Sequence, residues 1–172
     1  MTKTLYMLRH AKSDWSDGRL ADHDRPLAPR GERDTRRMGS FIAQIRPRPS
    51  LVLCSSAKRA RQTWTEIAAA LDEPIELHVE EDLYGASDVD LLARVGRLPE
   101  SVDSAVLVGH NPGMQDLAIE LAGGGDEDAM RRLAEKFPTC ALASLTVEGA
   151  WKDVVPGSCR LKLLVTSKQL PD

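Results

Sequence analysis

Residues 4–15 read TLYMLRHAKSDW. The run Leu5-Tyr6-Met7-Leu8 has no polar residue, the signature of a strand covered on both faces. It ends abruptly in Arg9-His10, so a buried strand delivers a guanidinium and an imidazole at its carboxyl end. Two further segments repeat this pattern. LVLCSSAKRARQT (residues 51–63) ends an apolar run and opens a helix carrying Ser55, Ser56, Lys58, Arg59 and Arg61. AVLVGHNPG (residues 105–113) ends in His110, followed by Asn111-Pro112-Gly113 at a helix start.

Working outward, strands are expected at Leu5–Leu8, Leu51–Cys54, Ile75–Val79, Ala105–Val108, Leu142–Val147 and Leu161–Val165. Between them apolar residues recur at helical spacing. Met38, Phe41, Ile42 and Ile45 form one such face, and Trp64, Ile67, Ala68 and Leu71 another. A third comprises Leu91, Leu92, Val95 and Leu98, where Ser87 and Asp90 predict a capping box. Pro112 suits the first turn of a helix bearing Leu117, Ala118 and Leu121, and a last helix is expected over residues 126–137. This order predicts one domain over residues 1–172. Its fold class is α/β, a mainly parallel central sheet with helices on both faces and one antiparallel edge strand. In such sheets ligands bind at the carboxyl ends of the strands, where Arg9, His10, Arg59 and His110 all fall.

The chain has 172 residues with 42% hydrophobic and 28% charged, ordinary for a globular domain, and a net charge of -3 that gives no signal for nucleic acid. No apolar stretch is long enough for a membrane helix or a signal peptide, so no membrane partner is expected. Three widely spaced cysteines, Cys54, Cys140 and Cys159, form neither a disulfide framework nor a zinc site and fit a reducing, cytoplasmic compartment. No metal or cofactor is expected. His23, between Asp22 and Asp24, reads as part of a solvated polar turn rather than a metal cage.

Convergent guanidinium and imidazole groups beside helix N-termini suit a tetrahedral oxyanion, with phosphate the obvious candidate. Phosphoryl transfer needs its oxygens neutralised and its attacking and leaving atoms held in line. Two arginines and one histidine meet the first need, and the second histidine can be the nucleophile. A cysteine-phosphatase cradle needs Cys, five residues, then Arg; counting from Cys54 reaches Ala60, so that chemistry is set aside. No GxSxG or Walker A motif is present. Lys58 and Arg61 read as helix surface.

These segments resemble the histidine phosphatase superfamily, to which phosphoglycerate mutase belongs. LRHAKS is similar to its opening Arg-His-Gly signature, SSAKRARQT to its Ser-x-x-x-Arg-Ala-x-Gln-Thr motif, and LVGHNPG to its second catalytic histidine. DHDRPLAPRG and EEDLYGAS resemble its intervening segments. Short length, Ala-Lys-Ser after the first histidine, and HNPG look like the SixA-type phosphohistidine phosphatase branch. The resemblance implies a phosphoglycerate mutase-like fold and a phosphohistidine intermediate on His10. Arg9, Arg59 and His110 would hold the phosphoryl oxygens, and Ser13 would touch the same pocket. Glu81 falls where larger members carry their acid, with Asp22 and Asp24 as competitors. Ala11 replaces the usual glycine. The substrate implied is a phosphorylated protein or a small phosphorylated molecule. A mutase and a non-catalytic phospho-binding regulator are alternatives on the same fold. The short chain between Arg59 and His110 leaves little material for a mutase lid, and retention of both histidines favours an enzyme.

Overall fold

A computed structural model describes residues 1–172. Seven strands form one sheet: β1 Thr2–Arg9, β2 Leu51–Ser55, β3 Glu76–Glu80, β4 Ser104–Gly109, β5 Ala122–Gly125, β6 Leu142–Glu148 and β7 Cys159–Val165. Their spatial order is β3-β2-β4-β1-β6-β7-β5. Five helices connect them: α1 Pro29–Ile42, α2 Lys58–Ala68, α3 Asp88–Gly96, α4 Gly113–Leu121 and α5 Glu127–Glu135. All six expected strands and all five expected helices are present. The predicted capping box closes α3, with Ser87 Oγ accepting from the Asp90 N–H and the Asp90 carboxylate accepting from the Ser87 N–H.

The strand burial explains why β1, β2 and β4 read as unbroken apolar runs. Leu5 and Met7 enter a cluster of 26 buried residues on the sheet face covered by α3, α4 and α5. Tyr6 and Leu8 alternate into an 18-residue cluster beneath α1 and α2. Consecutive β1 residues therefore face opposite cores, and no position between Thr4 and Leu8 meets water. β3 is the exposed edge, and Glu76, Leu77, His78 and Val79 all reach solvent.

Two features depart from the sequence reading. β5 has the sequence Ala-Gly-Gly-Gly and is not among the six expected strands. It pairs with β7 because its glycines admit backbone where no Cβ fits: a Cβ on Gly123 would lie 2.0 Å from Gly157 O, and Gly125 adopts φ +147. Such a strand has neither β-propensity nor an apolar pattern to announce it. The antiparallel strand, expected at an edge, is β6, which lies between β1 and β7. β7 returns antiparallel to β6 and so runs parallel to β1, and β5 extends the sheet beyond it. No helix is long and apolar enough to cross a membrane.

Candidate active site

β1, β2 and β4 are adjacent and parallel, so the three polar strand ends meet at one edge of the sheet. His10 follows β1 and is almost fully buried, Arg59 lies in the first turn of α2 and is also buried, and Arg9 and His110 are partly buried. The His10 and His110 rings stand 5.0 Å apart, centroid to centroid.

The tautomer of His10 follows from its partner. Nδ1 lies 2.8 Å from Ala11 O, a carbonyl that can only accept, so Nδ1 carries the hydrogen and the Nε2 lone pair faces the pocket. Arg59 Nε donates to that lone pair at 3.4 Å. Burial, aided by the positive charges of His110, Arg59 and Arg9, pushes the His10 pKa down to about 3. Desolvation is the larger cause. The ring is neutral at physiological pH.

His110 Nε2 lies 2.7 Å from Ser55 Oγ. Ser55 Oγ also accepts the Ala57 N–H, which ties the histidine to the turn that opens α2. Burial and Arg59 lower the His110 pKa to about 4. His110 Nδ1 and Arg9 Nε are buried without a hydrogen-bond partner in the protein, and the Arg9 N–H is a donor available to an oxyanion. Arg9 itself is anchored through Nη1, which donates to Phe137 O at 3.2 Å.

The SSAKRARQT segment holds the site together at several points. Thr63 Oγ1 donates to Arg59 O at 2.7 Å and accepts the Ala11 N–H at 3.0 Å, tying α2 to the loop behind His10. Gln62 Oε1 accepts the Leu27 N–H at 2.8 Å and fixes the segment before α1. Arg61 stays exposed and folds back to donate to Ser56 O. Gly31 of α1 packs on the same loop, where a Cβ would lie 2.2 Å from Lys12 O.

Asp22 has a larger part than the sequence indicated. Its carbonyl and carboxylate accept both terminal nitrogens of Arg59, at 2.7 and 3.0 Å, leaving Nε for the pocket. Tyr84 donates to the same carboxylate at 2.5 Å, and its ring meets His110 edge-on at 5.6 Å. The Tyr84 hydrogen bond, followed by Arg59, holds the Asp22 carboxyl below the usual carboxylate range. Residues 22, 59 and 84 have no local pattern linking them.

Arg9, His10, Arg59 and His110 thus come together as expected. Ser13 is buried, but its Oγ accepts from the Trp15 indole at 3.0 Å and makes no hydrogen bond to those four. Glu81 begins a 3-10 turn after β3 and lines, with Glu80, Asp82, Asp90, Arg94 and Arg97, a groove of about 760 Å³ that none of the four shares. Its carboxylate makes no hydrogen bond, whereas the neighbouring Glu80 is bidentate on Arg94. No three His, Cys, Asp or Glu side chains are grouped so as to hold a metal ion.

This geometry can be set beside known proteins. The family model of the histidine phosphatase superfamily (branch 1) matches residues 5–87. A solved structure from Agrobacterium tumefaciens, which carries the provisional name phosphohistidine phosphatase SixA, is 31% identical, with a TM-score of 0.80 over 95% of this chain and 97% of that one. The chain belongs to the histidine phosphatase superfamily. Its SixA-like character extends to the curated relatives. Phosphohistidine phosphatase SixA of Escherichia coli is 27% identical, covering 84% of this chain and 85% of that protein. An uncharacterised protein of Mycobacterium tuberculosis (strain H37Rv) is 43% identical, covering 90% of this chain and 96% of its own length. Superfamily membership and SixA-like neighbours together support phosphatase activity.

Proposed function

We propose that this protein is a metal-independent phosphatase that acts through a covalent phosphohistidine on His10, with a phosphorylated imidazole on a protein as the principal substrate. The observation that carries this reading is the orientation of His10: Nδ1 is fixed on Ala11 O, and Nε2 faces a pocket bordered by Arg59 Nε. Arg9 Nε is a further free donor, and the His110 ring stands 5.0 Å from that of His10. In the first step the Nε2 lone pair attacks phosphorus, the P–N bond to the substrate imidazole breaks, and that ring departs with the electron pair and takes a proton from solvent, while Arg9, Arg59 and His110 take up the charge of the equatorial oxygens. Water then attacks the phosphohistidine and regenerates the imidazole. A protein substrate is favoured by the short connection between β3 and β4, which contains α3 and no separate lid. The positive charge comes from side chains, so a bound cation has no required part.

The test is a neutral-pH quench with labelled substrate, using phosphohistidine protein, phosphoserine peptide and p-nitrophenyl phosphate in parallel. Label is expected on His10, turnover is expected to be lost in His10→Ala, and activity is expected to persist in excess EDTA. Label on another residue, undiminished turnover in His10→Ala, or loss in EDTA reversed by Mg²⁺ contradicts the corresponding part of the proposal.

A further inference from the structure

β3 ends the sheet on one side, and its outer edge has no partner strand. Glu80 O accepts the Ser56 N–H at 3.2 Å, so the Glu80 backbone faces β2. Backbone direction alternates along a strand, and the N–H and C=O groups of Leu77 and Val79 therefore point away from the sheet. Register fixes the side chains as well. Leu77 and Val79 pair with Val52 and Cys54 and lie on the α2 face, whereas Glu76, His78 and Glu80 lie on the α3 face. Leu77 and Val79 are 43% and 47% exposed, apolar side chains left half open at the rim of the core. An open edge of this kind is a template for one more strand.

Charge selects the occupant. Residues 72–82 read DEPIELHVEED, with six carboxylates and no lysine or arginine, in a chain whose net charge is only -3. On the α3 face this edge opens on the groove of about 760 Å³ lined by Glu80, Glu81, Asp82, Asp90, Arg94 and Arg97. Glu80 neutralises Arg94 and Asp90 caps α3, which leaves Glu81 and Asp82 against the single cation Arg97. A second copy of the chain does not fit. Antiparallel pairing about His78 sets Glu76 opposite Glu80, and like charges directly opposite are destabilising. Nucleic acid and anionic lipid are repelled by the same carboxylates. The other sheet edge, β5, is one alanine and three glycines and offers a partner almost no side chain.

We propose that the β3 edge is a docking site for an extended segment of a partner protein in which apolar and basic residues alternate. The segment adds to the sheet as a further strand beside β3. Its backbone pairs with Leu77 and Val79, its apolar side chains cover theirs, and its basic side chains lie on the α3 face with Glu76, Glu80, Glu81 and Asp82. β3 leads within four residues to Tyr84, whose ring meets His110, so the docked partner is held beside the candidate active site. The docking itself does not depend on the phosphatase reading, because it uses none of Arg9, His10, Arg59 and His110.

The experiment uses the whole chain and three fluorescein-labelled peptides: Lys-Val-Lys-Val-Lys-Val-Lys, its counterpart Glu-Val-Glu-Val-Glu-Val-Glu, and Lys-Val-Lys-Pro-Lys-Val-Lys, whose proline removes a ladder donor at unchanged charge. Fluorescence anisotropy should show saturable binding of the first alone, weakened by salt. In amide hydrogen exchange on the wild type, Leu77 and Val79 should gain protection when that peptide binds, and the amides of β5 should not. Val79→Pro removes an outward N–H without touching the ladder to β2, and should weaken binding about tenfold or more. Glu81→Lys combined with Asp82→Lys should weaken it by a similar factor of about ten. Thermal melts report whether each variant is folded, and the exchange measurement on the wild type stands without either. Binding of none of the peptides, equal binding of all three, protection gained elsewhere than at Leu77 and Val79, or a charge-reversed variant that binds as tightly as the wild type would each overturn the docking site.

Discussion

At the scale of single residues, Arg59 and Asp22 divide one task. Arg59 presents Nε to the pocket because both its terminal nitrogens are held by Asp22. In the proposed function the guanidinium is an oxyanion donor, and removing one such preorganised donor typically costs about 10²–10³ in rate. Arg59→Ala is therefore expected to lower kcat by about 10²–10³-fold. Asp22→Asn keeps the carbonyl contact and weakens only the charged one. Asp22 is 44% exposed, so solvent screens the pair, and the loss should be about tenfold. Steady-state kinetics on p-nitrophenyl phosphate order the two variants; an Asp22→Asn as damaging as Arg59→Ala would mean that Asp22 has a second role. Arg59 was readable in SSAKRARQT because strand, turn and helix signals surround it. Asp22 was read only as a competing acid, since its partners lie 37 and 62 positions away in the chain.

Among the elements, α4 shows how packing sets the geometry of the candidate site. His110 follows β4, and Met114 N donates to His110 O at 2.9 Å, so the start of α4 fixes the backbone of the histidine. Gly113, the first residue of α4, lies against the turn that follows Tyr84, where a Cβ would stand 2.2 Å from Ala86 O. That obstacle is backbone and cannot rotate away. Gly113→Ala should cost about 1–3 kcal/mol of stability, typical of overpacking, and reduce kcat as His110 shifts. Urea denaturation with parallel kinetics checks both effects; unchanged stability would show that the turn before α3 yields freely. The helix was legible from its 3.6-residue pattern, whereas the demand for glycine at 113 comes from a segment 27 positions earlier. β5 went unread for a related reason, since Gly123 and Gly125 answer to Gly157 and Leu161 rather than to one another.

For the whole molecule, folding stores two neutral histidines in a buried cationic site, and this couples stability to pH. The folded pKa values, about 3 for His10 and about 4 for His110, lie below the ordinary value of 6.5. Between those limits the unfolded chain binds more protons than the folded one. The contribution is complete above pH 6.5 and declines as pH falls from there toward 4 and then 3. Thermal melts from pH 7.5 down to 4 should show Tm falling, and a His10→Asn, His110→Asn double variant should fall less steeply over the same range. Parallel slopes would place the acid sensitivity elsewhere. By itself the sequence determined the fold class, because helix and strand periods and unbroken apolar runs are local consequences of which faces are buried. It also placed Arg9, His10, Arg59 and His110 at one edge of the sheet, because each stands where an apolar run stops or a helix starts. Only the tertiary structure decided that Asp22 and Tyr84 brace Arg59, that Glu81 opens into a different groove, that β6 lies inside the sheet, and that a glycine run becomes a strand. Those outcomes depend on contacts between distant segments, for which neither propensity nor periodicity supplies a term.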